Sequence, residues 1–120
     1  MRIYLAGPMR GYPHFNFPAF DHATFFLRAE GHEVFSPAER DRKQYPQIEW
    51  NTNSSIAVAE EADGFSLREA LAADISWICL HAEAIALLPG WEKSAGARAE
   101  WATGVALGLK FFYLDNYYAL

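Results

Sequence analysis

Two carboxylates and one loop carry the chemistry this chain could perform. Glu100 stands among Gly96, Ala97, Ala99 and Ala102 in a segment of helical character. Small neighbours leave room beside a carboxylate. Such a residue is either a solvated helix glutamate or a catalytic acid at a pocket mouth, and spacing alone allows both. Asp74 falls on an apolar stripe with Leu67, Ala70, Leu71, Trp77 and Ile78. A carboxylate there either sits slightly off the face or must find a partner or a cavity. The loop Gly7-Pro8-Met9-Arg10-Gly11 offers a forked cationic donor between two glycines, whose backbone can approach an anion closely. Read locally, it is equally an ordinary turn with a solvated arginine.

The elements that must hold these residues follow an α/β pattern. Arg2–Ala6 is a β-rich run that reads as a buried central strand. Pro18 opens a helix capped by Asn16 or Phe17, with Phe20, Ala23, Thr24 and Leu27 at core-facing spacing and Gly31 at its end. Residues 32–36 form a second strand stopped by Pro37. A crossover helix between two short strands implies parallel pairing. The stretch 37–64 is polar and charged at first and resists assignment; it is either a lid or a surface excursion, with a short helix expected over 54–62. Ser66, with Glu69 three residues on, starts the helix bearing Asp74 as a capping box.

The stretch 84–114 organises the rest. An apolar run ended by Pro89-Gly90 reads as a buried strand. A helix begins near Ser94 and stops at Gly108, and the run from Lys110 reads as another buried strand. A strand feeding a helix N-terminus through a loop is where α/β folds bind ligands.

Composition narrows the function classes. The chain has 120 residues, 52% of them hydrophobic and 16% aromatic, which fits one domain with a dense core and an apolar patch buried by self-association. The net charge of −5 argues against a polynucleotide-binding surface but leaves room for one small anion. His14, His22, His32 and His81 lack metal-ligand spacing, so no metal is expected. Cys79, in an apolar helical run, is expected to pack inertly in the core. No signal peptide or membrane-spanning run is evident, and a cytoplasmic protein is the simplest reading.

With Tyr4-Leu5-Ala6-Gly7-Pro8-Met9-Arg10-Gly11, Asp74-Ile75-Ser76-Trp77 and the Ser94/Glu100 pair on view, the chain resembles the nucleoside 2-deoxyribosyltransferase superfamily, and most of all its short bacterial and phage members of unassigned role. The resemblance covers 3–11, 67–77 and 84–114. It implies that Glu100 is a nucleophile, that Asp74 positions or protonates the departing base, and that Tyr4 orients Glu100. It also implies that Gly7, Met9, Arg10, Gly11, Ser94 and Gly96 hold the 5′ end of a substrate. Relatives acting on free nucleosides tend to carry an acid where Ser94 stands. Those that hydrolyse deoxynucleoside 5′-monophosphates carry serine, together with a Gly-x-x-Arg-Gly loop. Trp91 and Trp101 are bulkier than the family pattern, and 37–64 does not align with its base-binding segments.

The expected architecture is a single domain over 1–120, a flavodoxin-like or Rossmann-like three-layer sandwich with a parallel sheet in order 2-1-3-4. The tail is a candidate fifth element. The expected activity is N-glycosidic cleavage of a 2′-deoxynucleoside 5′-monophosphate, without cofactor, in a homodimer or larger homo-oligomer. The alternatives are base exchange on free deoxynucleosides and nucleotide binding without catalysis.

Overall fold

A computed structural model of the chain describes residues 1–48, 50 and 65–115. Four parallel strands form one sheet: β1 (Arg2–Ala6), β2 (Glu33–Phe35), β3 (Ala84–Leu87) and β4 (Lys110–Tyr113), in the order β2-β1-β3-β4. Both the parallel pairing and the order agree with the sequence reading. β1 and β3 lie in the middle, where both faces are covered, and this is why they are apolar runs rather than alternating ones. Tyr4 pairs with Phe35 on one side and with Ile85 on the other.

Four helices flank the sheet among the described residues: α1 (Phe17–Ala29), α2 (Pro37–Gln44), α3 (Leu67–His81) and α4 (Ala95–Leu107). The two faces of β1 enter different apolar clusters. Ile3 and Leu5 pack with Phe20, Ala23 and Leu27 of α1, whereas Tyr4 and Ala6 pack with Ile78 of α3 and Ala97 of α4. That alternation builds three layers.

The caps fall largely where the sequence puts them. Ser66 Oγ accepts from the Glu69 amide at 3.2 Å, and Gly108 closes α4 in the left-handed region, φ +68°. The entry to α1 differs. Asn16 holds the cap position, but its side chain donates to the Pro8 carbonyl at 2.9 Å instead of to the helix. His14, Phe15 and Asn16 are all left-handed (φ +52°, +55° and +60°), an uncommon run for residues with a Cβ. The buried Phe15 ring and the Asn16–Pro8 bond hold that turn against its strain.

Three expectations need correction. The run from Lys110 is an edge strand with its side chains largely exposed, because among the described residues β4 has a neighbour on one side only. Cys79 is exposed, since the buried stripe of α3 is Ala70, Asp74 and Ile78, spaced by four, and Cys79 falls one position beyond it. Leu67 and Leu80 likewise lie off that stripe; Leu80 is 72% exposed. The early part of 37–64 is not an irregular excursion but the helix α2. The helix expected over 54–62 and the tail element at 116–120 lie outside the described residues. No described helix is long and apolar enough to cross a membrane.

Candidate active site

A cleft of about 500 Å³ opens at the carboxyl ends of the strands. The order 2-1-3-4 sends the chain from β1 to one side and later to the other, and ligand crevices form at this reversal. The loop after β1 brings Gly7, Pro8, Met9 and Arg10 to the cleft. The turn after β3 brings Lys93 and Ser94, α4 brings Gly96 and Glu100, α3 brings Asp74, and α2 brings Asp41.

Glu100 and Asp74 therefore converge on one cavity, although they come from different helices. Glu100 is 6% exposed and Asp74 7%. The Tyr4 hydroxyl donates to Glu100 Oε2 at 2.7 Å. Tyr4 itself is fully buried behind the cleft wall, with Phe35 stacked on its ring at 5.5 Å and Trp77 at 6.4 Å. A tyrosine so packed has one hydroxyl position, and it fixes the glutamate.

Burial dominates the electrostatics. It pushes the Glu100 carboxyl well above the usual carboxylate range, helped by the charge of Asp74, while the Tyr4 hydrogen bond pulls the other way. Burial also raises Asp74 to about 7, against the opposing pull of Arg40. The Tyr4 phenol is raised well above its ordinary value by burial and then by Glu100. Asp74 Oδ1 is buried without a hydrogen-bond partner, with Arg40 Nε 3.8 Å away. Each acid therefore holds its proton more tightly than a solvated carboxyl does.

The other end of the cleft is cationic. Ser94 Oγ accepts from the Ala97 amide at 3.2 Å and caps α4, leaving its own hydrogen to donate. The first amides of α4 have no intrahelical acceptor and point the same way. Arg10 and Lys93 add charge at this wall. Gly7 is there because space demands it: a Cβ would lie 2.8 Å from Leu88 Cβ. A Cβ at Gly96 would meet nothing within 4 Å, so packing does not require this glycine; it keeps the cleft open.

Of the residues singled out from the sequence, Gly7, Met9, Arg10, Asp74, Ser94, Gly96 and Glu100 line the cleft, and Tyr4 supports it from behind. Gly11 does not line it. Its φ of +83° marks a residue that turns the loop, next to the bond from the Tyr12 amide to the Met9 carbonyl. Sequence reasoning missed Lys93, Arg40 and Asp41. Lys93 could have been found beside Ser94. Asp41 and Arg40 sit in a charged run whose burial has no apolar periodicity to announce it.

Fold and site together define an α/β domain with a pair of buried acids and a cationic end in one switch-point cleft. The chain belongs to a family described as a domain of unknown function (DUF4406), whose profile matches residues 1–113. No curated protein matches the chain.

Proposed function

We propose that the protein hydrolyses the N-glycosidic bond of a 2′-deoxynucleoside 5′-monophosphate, with Glu100 as nucleophile. One observation carries this: Glu100, clamped by the Tyr4 hydroxyl at 2.7 Å, shares a cleft with Asp74. A protein that only binds nucleotides has no need of two dehydrated acids against one wall.

In this reading Glu100 acts as the carboxylate that the Tyr4 hydroxyl donates to, and Asp74 acts as the neutral acid. With Asp74 neutral, its share in raising the Glu100 carboxyl is gone, while burial and the charge of Asp41 remain. A Glu100 oxygen forms the bond to C1′, and the C1′–N bond breaks. The electron pair leaves on the base, which takes the Asp74 proton. Positive charge developing at C1′ gives the buried carboxylate the counter-charge it lacks in the free protein. Water then attacks C1′ and frees the Glu100 carboxylate, and the water's proton returns to Asp74. The products are the free base and deoxyribose 5-phosphate.

Arg10, Lys93, the Ser94 hydroxyl and the α4 amides are the phosphate-binding groups in this reading. An acid at position 94 would suit a 5′-hydroxyl and repel a phosphate; serine does the reverse. Self-association belongs to the same reading. Leu80 of α3, Val105 and Leu107 of α4, and Tyr113 of β4 are exposed apolar side chains available for such a contact.

The test is chromatography of free base from a panel of deoxynucleoside monophosphates and deoxynucleosides, with and without a second base. Base released from monophosphates alone, unaffected by the second base, is the expected result. Exchange on free nucleosides would make the protein a transferase, and binding without release would make it a non-catalytic module.

A further inference from the structure

Asp41 lines the cleft, and the mechanism above gives it nothing to do. It is 3% exposed, on α2, a helix whose only other buried residues are Pro37 and Ala38. Two forked ion pairs fasten α2 to its surroundings. Arg28 of α1 meets Glu39 with two 2.7 Å bonds, and Arg42 meets Asp21 of α1 at 2.8 and 3.2 Å. Asp41 is thus held in the cleft wall by an anchored element.

Its place in the cleft is set by topology. α2 follows β2, whereas the cationic groups follow β1 and β3, and β2 and β3 lie on opposite sides of β1. The cleft accordingly has an anion end and an acid end. With C1′ at Glu100 and the phosphate toward Ser94, the group leaving C1′ extends toward α2 and α3, where Phe65, Leu67 and Leu71 offer apolar faces. Arg40 Nη2 donates to Asp41 Oδ1 at 2.6 Å, which engages one of the two carboxylate oxygens. Two polar atoms at this end, Arg40 Nε and Asp74 Oδ1, are buried without a hydrogen-bond partner.

We infer that Asp41 reads the base, and that the preferred base carries an exocyclic amino group beside a ring acceptor, as cytosine and adenine do. The inference rests on the reaction proposed above. Asp41 accepts from the amino group while Asp74 donates to an acceptor of the same base. The division of labour follows from Arg40, which contacts Asp41 directly and Asp74 only at 3.8 Å. That contact favours the charged form of Asp41 and makes it the acceptor, leaving Asp74 as the donor; burial raises both carboxyls, to about 6 and about 7. Uracil and thymine present a carbonyl oxygen where cytosine has its amino group, which sets lone pairs against a carboxylate. A site built to receive an N–H rejects an analogue lacking it strongly. Because Arg40 already satisfies part of Asp41, the expected discrimination is a more modest ~10- to 100-fold.

Deoxycytidylate and deoxyuridylate differ only at the 4-substituent and at the adjacent ring nitrogen, an acceptor in cytosine and an N–H in uracil, and make the cleanest pair. Base release is measured as kcat/KM for both, with the wild-type protein and with Asp41→Asn. The expected result is a wild-type preference for deoxycytidylate of at least about tenfold, narrowed or reversed in Asp41→Asn, whose amide can donate to the uracil oxygen. Equal wild-type values, or a ratio that Asp41→Asn leaves unchanged, would overturn the role of Asp41 while leaving the reaction standing. If Asp41→Asn does not fold, the wild-type ratio alone decides. If no nucleotide is turned over, the reaction has failed and calorimetric dissociation constants for the same two nucleotides become the readout. A tenfold preference lost in Asp41→Asn then supports base recognition, and no preference, or no binding, overturns it.

Discussion

Asp74→Asn should make this protein more stable and less active, and the gain should depend on pH. The Asp74 carboxyl ordinarily titrates near 3.8, but in the folded chain burial holds its proton up to about 7. Between those values the folded state binds more protons than the unfolded state. Raising the pH therefore favours unfolding, and the loss is complete only above about 7. At 1.36 kcal/mol per pH unit, the whole interval is worth about 4 kcal/mol. Asparagine has no proton to lose, so the variant escapes that loss while Arg40 keeps its 2.6 Å bond to Asp41. The advantage should be small near pH ~4 and about 2–4 kcal/mol near pH ~8. With a urea slope of about 1–3 kcal/mol/M, that is a midpoint higher by roughly 1–3 M. Urea unfolding of both proteins at the two pH values measures it. An advantage absent at the higher pH, or the same at both, would refute the claim that Asp74 is a carboxylate held dry against its own ionisation.

Glu100→Ala should lower base release by at least ~10³-fold, since the charge that forms at C1′ loses its partner; unchanged turnover removes Glu100 from the mechanism. Arg10→Ala should weaken a 5′-monophosphate by roughly 1.5–3 kcal/mol and the free nucleoside hardly at all, read by titrating both ligands, and equal losses would take Arg10 out of the phosphate site. The rate at low substrate should fall as pH rises through about 7, because Asp74 then lacks the proton it gives the base; a rate that keeps rising there contradicts its role as the acid. Light scattering at micromolar concentration should report a dimer or larger species, and Leu80→Glu, at a side chain 72% exposed, should shift it toward monomer; a wild-type monomer disposes of the self-association reading.

The parts of this molecule that could be read from sequence are those where one local rule and the tertiary environment agree. Arg2–Ala6 and Ala84–Leu87 are apolar because they are central strands, and Ser66, Ser94 and Gly108 cap helices by side-chain or backbone chemistry visible in a few residues. The acids Asp74 and Glu100 were legible as anomalies, one on an apolar stripe and one among small residues. α2 was not, because its buried face is two small or cyclic residues and an aspartate, so it has no apolar period. Signals of another kind were present: Ser36 before Pro37, Glu39 in the first turn, Arg42 and Lys43 in the last. Lys110–Tyr113 misled in the opposite direction. Its aromatic content is that of an inner strand, yet among the described residues it has a sheet neighbour on one side only, and Tyr113 is 61% exposed. Nothing within four residues distinguishes an inner strand from an edge strand.

The strand order also sets a timetable. β1 precedes the other three strands of the sheet in the chain, yet it is central, and its second neighbour is β3. At roughly 5–20 residues per second, the ~80 residues between Ala6 and its partner Leu87 take about 4–16 s to make. Through that interval β2 can cover one side of a strand that is apolar from Ile3 to Ala6, while the other stays open to any neighbouring nascent chain. The Tyr4–Glu100 bond spans 96 residues and closes later still. In the cell, yield should therefore track how well that open edge is sheltered during translation, and slower elongation before codon 84 lengthens the exposure.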